Sequence, residues 1–349
     1  MTERLPDTMT EGSEPPLVIR SLPSRDKLLM RNACVETLLE LAKQDERIVF
    51  ITGDLGFGVV TPFMELLPRQ FINAGVAEEN MTGLATGMAL SGKIAFTYSL
   101  GNFPTLRCLE HIRNDVCYHN ANVKIITVGG GFAYGSMGPT HHATEDLAVM
   151  RALPGMTVVA PGDPVEARAA TRAVKDYPGP CYLRLGKAGE PTVHRAPIDF
   201  QIGKAILMRQ GGDATLISTG GILLPTVRAA ERLAKEGIEA RVLSMHTLRP
   251  LDTEAVLAAA RETRAILTVE EHSIIGGLGS AVSEVLAEAD DNKAAFRRIG
   301  IPPEFSPHIG SQEYMRSRHG LTEEAIAARV AGLLKSVGLS LTRAAGSDR

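Results

Sequence analysis

The chain has 349 residues, a formal charge of −3 and a hydrophobic fraction of 44%. That length accommodates about two domains with sizeable cores, and the near-neutral charge gives no electrostatic footing for nucleic acid or an anionic membrane. The cysteines, Cys34, Cys108, Cys117 and Cys181, form neither a CxxC pair nor a metal-ligand spacing, so they read as buried thiols of a reduced compartment.

Residues 1–24 are rich in Pro, Glu, Thr and Ser and read as a flexible tail. No apolar h-region follows a basic start, and no run reaches the ~18 apolar residues of a membrane span. A cytoplasmic protein without membrane or nucleic-acid partners is expected. From residue 25 onward helix-like and strand-like segments alternate, the pattern of an α/β sheet with crossovers. Amphipathic spacing predicts a helix over 31–44, and "RIVFITGD" a strand over 47–54. A helix opening at "AEEN" follows, then a strand over 93–99, a helix over 106–119 and a strand over 122–131. A helix near 144–152, a strand over 156–163, a helix over 164–174 and a strand over 180–186 complete the first cycle. The strands lack internal polar alternation, which implies cover on both faces and a parallel sheet.

A polar, Pro-containing stretch at 191–204 reads as a linker. The second cycle has a strand over 213–220, a helix over 222–236, and a strand with its exit over 239–250. A helix over 251–263, a strand over 264–273 and a helix over 277–289 follow, and residues 339–349 read as a second tail. The expected layout is therefore two parallel-sheet α/β domains, 25–190 and 205–338.

One helix start raises a question. In "NAGVAEENMTGLATGMALSG" (73–92), Met81, Leu84, Ala85, Met88 and Ala89 recur at helical spacing and mark a buried stripe. Glu78 lies on the same side as that stripe, whereas Glu79 points away. Both acids suit the positive end of a helix dipole. Glu78 is nevertheless aimed at apolar surroundings, where an unpaired charge is costly and its pKa should rise.

Ligands in open α/β sheets bind beyond the carboxyl ends of strands. Four segments of the first domain fall there: "GDLGFG" (53–58), the Glu78 helix start, "GNFPTLR" (101–107) and the glycine-rich "GGGFAYGSMGPTHHATED" (129–146). There is no GxGxxG after the first strand, no GxxxxGK[ST], no HExxH and no GxSxG. Dinucleotide, P-loop, zincin and α/β-hydrolase chemistries are thus not indicated, and no metal ligands are assigned.

Together, "GVAEENMTGLATGMA", "GPTHHATEDLAVMRALPGMTVVAPGDPVEA", "GPCYLRLGK" and "VEEHSIIGGLGSAVSEVL" resemble the transketolase family of thiamine-diphosphate enzymes. The likeness covers its pyrimidine-binding and C-terminal domains, from about residue 25 to 337. The family's GDG…N signature of Mg²⁺-diphosphate binding is missing, so the chain is similar to the C-terminal half of a split transketolase. The resemblance implies the beta subunit of an α2β2 enzyme that transfers a two-carbon ketol unit between sugar substrates. Thiamine diphosphate would lie between chains, with Mg²⁺ held by the alpha subunit. Glu78 would hydrogen-bond the cofactor's aminopyrimidine and favour its imino tautomer. Phe103 would pack on that ring, and Asp54 and Leu55 would approach the cofactor. His141 would stand near the cofactor and substrate, with His142 a second candidate; Asp146 reads equally as a helix-start acid. Arg31 and Lys187 would hold the sugar's anionic end, Lys187 replacing a usual arginine. His272 is expected to be structural. Three positions depart from the family pattern: Met137 replaces an acid, Gly129 a phosphate-contacting histidine and Gly58 a phosphate-contacting serine. An altered sugar phosphate or a sulfonated sugar is therefore expected, with ordinary pentose phosphates as the alternative. The alternatives are a 2-oxoacid dehydrogenase beta subunit and a non-catalytic assembly partner.

Overall fold

The computed structural model describes residues 29–187, 189–290 and 292–338. The tails expected at 1–24 and 339–349 lie outside the described residues. The first half contributes β1 (Ile48–Thr52), β2 (Phe71–Asn73), β3 (Ile94–Leu100), β4 (Val123–Val128), β5 (Thr157–Val159) and β6 (Cys181–Leu185). The second half contributes β7 (Ile206–Arg209), β8 (Ala214–Thr219), β9 (Ala240–Ser244), β10 (Thr247–Arg249), β11 (Ala265–Ser273) and β12 (Ala295–Ile301).

The sheets run β10-β5-β6-β4-β3-β1-β2 and β12-β11-β8-β9-β7. All pairings are parallel except at one edge of each sheet, where β10 pairs antiparallel with β5 and β7 with β9. The expected parallel sheets are present, and each ends in one antiparallel edge strand, where a short return strand needs no helical crossover. All residues of β1, β4, β6 and β8 are buried, as expected for strands covered on both faces. Between β6 and β7 the described residues form neither helix nor strand.

β10 changes the expected division. Residues 247–249 read as the exit of a second-domain strand, yet they complete the edge of the first sheet. Arg249 reinforces the join by donating from Nη1 to the carbonyls of Arg151 (2.7 Å) and Leu153 (2.9 Å). β12 and the helices Gln312–Arg318 and Glu323–Ser336 fill a stretch whose local pattern indicated no element.

The helix Glu78–Leu90 is rotated from its expected stripe. Met81 and Ala85 are buried, but Leu84 is exposed, and Thr82 and Thr86 are buried in its place. The threonine hydroxyls donate to the carbonyls four residues back, Glu78 and Thr82, at 2.9 Å each. Satisfied in this way, they enter the interior at little cost. Glu79 is exposed, as its helical angle requires.

Within the first sheet the order β2-β1-β3-β4 reverses direction at β1 and β3. A crevice opens beyond the carboxyl ends of strands at such a reversal. Residues 53–58 leave β1, the Glu78 helix follows β2, and Phe103 follows β3.

Candidate functional site

Glu78 is 1% exposed at the first position of its helix. Ser99 Oγ, on β3, donates to its Oε1 at 3.2 Å. Arg107 Nη1 donates to its Oε2 at 2.7 Å in an ion pair. The expectation of an unpaired carboxylate is thus corrected, because a cation 29 residues along reaches it. Arg107 was missed because nothing in the local pattern around either residue announces the pairing. The only signal available was its place, four residues after Phe103 in a helical segment.

That segment, Phe103–Cys117, is a helix of mostly wide turns interrupted by one tighter turn. The Arg107 N–H reaches back five residues to the Asn102 carbonyl, and Tyr118 does the same to Arg113. Wide turns of this kind recur at functional sites. Here one brings the Arg107 guanidinium over the Phe103 ring, 4.8 Å from its centroid. A flat cation therefore lies between a buried carboxylate and an aromatic face. The same gap suits a flat nitrogen heterocycle that exchanges a proton with the carboxylate and stacks on the ring, as an aminopyrimidine does.

The remaining expected residues gather around this pair. Asp54 leaves β1 with a positive φ of 56°, and Asn73 Nδ2 donates to its Oδ1 at 2.8 Å. The Leu55 backbone is tied to the Thr52 hydroxyl. Between them and the carboxylate lies Gly53, where an added methyl would touch Glu78 Oε1 at 3.6 Å and Ser99 Oγ at 3.5 Å. His141 stands edge-on to Phe103 with ring centroids 5.3 Å apart, and its Nδ1 meets Thr140 Oγ1 at 3.0 Å. His142 turns the other way. It is buried with its ring edge-on to Phe132 at 5.1 Å, and its Nε2 faces the Gly135 carbonyl at 3.2 Å. His142 also lines a cavity of about 520 Å³ with Asn102, Thr140 and Phe305.

Asp146 is more than a helix-start acid. It is fully buried and accepts from Arg184 Nε at 2.8 Å and from the Tyr182 hydroxyl at 2.5 Å. Arg184 also donates to the carbonyls of Ala143 and Glu271, linking the His141 loop to the second domain. His272 adds to that join. Its Nε2 accepts from the Ala148 N–H at 3.3 Å while its Nδ1 lies 2.8 Å from the Ser273 carbonyl, a structural placement for a fully buried ring.

Arg31 is the second residue of the first helix, Met30–Ala42, and Lys187 follows β6. They meet at Tyr134, with Lys187 Nζ 4.5 Å from the ring centroid and the Arg31 charge felt at the phenol. All four cysteines are free and buried. Burial pushes the Cys34 thiol up to about 12 and those of Cys108 and Cys117 up to about 11, which leaves them protonated and poor nucleophiles. Among the described residues no group of three His, Cys, Asp or Glu side chains could hold a metal ion. No helix among them is long and apolar enough to cross a membrane.

Comparison with known proteins identifies the family. Residues 26–190 match the transketolase pyrimidine-binding domain, and residues 203–326 the transketolase C-terminal domain. The chain is 41% identical over 305 residues to a subunit of the apulose-4-phosphate transketolase of Phocaeicola vulgatus, covering 87% of this chain and 96% of that protein. It is 40% identical over 298 residues to a 6-deoxy-6-sulfo-D-fructose transketolase subunit of Clostridium sp. (strain MSTE9), covering 85% and 92%. A solved structure described as a split gene transketolase, inactive beta4 tetramer, superposes with a TM-score of 0.80 at 36% identity, covering 88% of this chain and 99% of that one.

Proposed function

The chain belongs to the transketolase family, and we propose that it is the beta subunit of a heteromeric transketolase. In this reading it moves a two-carbon ketol unit from a ketose donor to an aldehyde acceptor. An alpha subunit supplies the half-site for Mg²⁺ and the cofactor diphosphate, in an α2β2 assembly with two-fold symmetry. The observation that carries the proposal is the buried Glu78 carboxylate at the sheet reversal, with Phe103 and His141 beside it.

When bound, thiamine diphosphate supplies the carbon nucleophile that carries the ketol unit. The chain's own residues do the rest. Glu78 presents its carboxyl group to the aminopyrimidine and holds or releases a proton there. Phe103 offers the ring with a face, and Gly53, Asp54 and Leu55 provide a close backbone wall. His141 stands where it can exchange a proton with a substrate hydroxyl. His142, packed on Phe132, holds the loop that presents His141. Arg31 and Lys187 form the positive end of the substrate pocket. The names of both relatives specify sugars bearing a tetrahedral anion, phosphate in one and sulfonate in the other. We carry over only that class.

The surface around the site supports a docked partner. Phe57 (78% exposed), Val76 (74%) and Leu106 (41%) sit on the segments that carry the site residues. Exposed large apolar side chains on site-bearing segments are the kind that a docked partner covers.

The test is isothermal titration of thiamine diphosphate and Mg²⁺ into this chain, alone and with its alpha chain. Tight binding only in the mixture supports a shared site. Binding by this chain alone would overturn the shared site, and binding in neither case would leave an assembly partner without catalytic role.

A further inference from the structure

The substrate pocket carries a replacement that position-by-position reading missed. Gly129 follows β4 with a φ of 98°, a conformation L-residues rarely adopt. A Cβ at Gly129 would overlap two ring carbons of Tyr134. The volume that a side chain at 129 would claim is therefore filled by an aromatic ring arriving from five residues later. Tyr134 is 8% exposed, so its position is fixed by packing.

Two cations converge on this ring. Lys187 Nζ lies 4.5 Å from its centroid, and Arg31 acts on its hydroxyl. Among the described residues neither Arg31 nor Lys187 forms an ion pair, and Arg31 Nε is buried without a hydrogen-bond partner. Glu190, whose charge also reaches Tyr134, is buried and forms no ion pair among the described residues. The His141 ring centroid is 6.4 Å from that of Tyr134, so one ring borders both His141 and the Lys187 ammonium. Two unneutralised cations at one partly buried site are mutually costly until an anion arrives.

We propose that Tyr134 is a specificity-determining residue: its ring fills the volume beside Gly129 and holds Arg31 and Lys187 ready for the terminal tetrahedral oxyanion of the ketose donor. This rests on the transketolase reading above and narrows it to donors ending in phosphate or sulfonate. The ring face holds the lysine ammonium by its quadrupole, a contact that strengthens as water is excluded. The buried phenol stays protonated at neutral pH, because burial raises its pKa further than Arg31 lowers it.

The test uses the assembled enzyme with both subunits and compares a phosphorylated ketose with the same ketose lacking phosphate. Tyr134→Val should raise KM for the phosphorylated donor about tenfold, the equivalent of ~1.4 kcal/mol, with kcat changed less than about twofold. KM for the unphosphorylated donor should stay unchanged. Tyr134→Phe keeps the ring and should stay within about threefold of wild type for both donors. A wild-type KM in Tyr134→Val, or an equal rise for both donors, would overturn the proposal. A second measurement does not depend on that variant folding. Inorganic phosphate should compete with the phosphorylated donor in the wild-type enzyme, and Lys187→Gln should weaken the competition. Absence of competition in the wild type would also overturn it. A wild-type complex that transfers no ketol unit from either donor refutes the transketolase reading itself, a result distinct from these.

Discussion

The Glu78 carboxylate and the Arg107 guanidinium meet at 2.7 Å, one side chain almost wholly buried and the other about half exposed. Arg107 thereby neutralises a carboxylate that would otherwise sit unpaired against the interior. Glu78→Gln should leave assembly intact, because the amide keeps the shape, its oxygen can still accept from Arg107 and its NH2 can donate to the Ser99 hydroxyl. Turnover should fall by at least ~10²-fold, as for a lost acid–base group. Steady-state ketol transfer by the assembled enzyme checks this, and near-normal turnover would remove Glu78 from the mechanism.

Arg107→Met should cost stability even without cofactor. One partner of the pair is solvent-exposed, so screening holds the loss to about 1 kcal/mol at neutral pH. The loss should vanish in a Glu78→Gln background, where no buried charge needs a counter-charge. Urea unfolding of the wild type, both single variants and the double variant at pH 7 measures the coupling. A loss of the same size in both backgrounds would show that Arg107 acts through packing alone.

Asp146→Asn should be more damaging, although its side chain lies away from the proposed chemistry. Its partner Arg184 is 5% exposed and would be left with a buried, uncompensated charge. Removing one partner from such a pair costs about 3 kcal/mol or more. Because Arg184 also holds the Ala143 carbonyl, the His141 loop should loosen too. The expected result is a lower unfolding free energy together with faster hydrogen exchange at residues 138–145. Unchanged exchange there would separate Asp146 from the loop.

The acid limb of the stability profile should depend on His246. Its ring stacks on Phe200 at 3.9 Å, its Nδ1 meets Thr247 Oγ1 at 2.9 Å, and its Nε2 is buried without a partner. Burial lowers its pKa to about 4, against the pull of Glu166 and Asp252 and with help from His194. A histidine whose folded value is depressed contributes fully above its ordinary value near 6.5, and the contribution is lost as pH falls toward 4. The loss should be on the order of 3 kcal/mol. His194 has the opposite sign. Burial lowers its pKa, but the bond to Glu166 raises it further, so its contribution is full below 6.5 and fades as pH rises. Thermal unfolding of His246→Gln and wild type between pH 4 and 8 should show a flatter acid limb in the variant. Parallel curves would exclude His246 as the titrating group.

Much of this site was legible because the relevant information is local. The ends of β1, β3 and β4 are marked by glycines and by the change from apolar run to polar loop, whereas the three-residue β2 had no such run; the side of the helix on which Glu78 lies follows from spacing. What escaped depends on pairings between distant residues. Leu84 looked like core until Thr82 and Thr86 buried their hydroxyls on the preceding turn. Glu78 looked unpaired because Arg107 returns to it only through a wide helical turn. Gly129 read only as a missing phosphate-contacting histidine, while the ring that occupies the space beside it stands at 134.

The strand Thr247–Arg249 gives the molecule a lock between its halves. A fragment ending near residue 200 would lack it, leaving β5 with unpaired N–H and C=O groups along an open sheet edge, a template for association with other chains. The irregular stretch after β6, inviting as a place to cut, is therefore a poor one. The unit that can be moved, fused or expressed intact has to include the strand that crosses back.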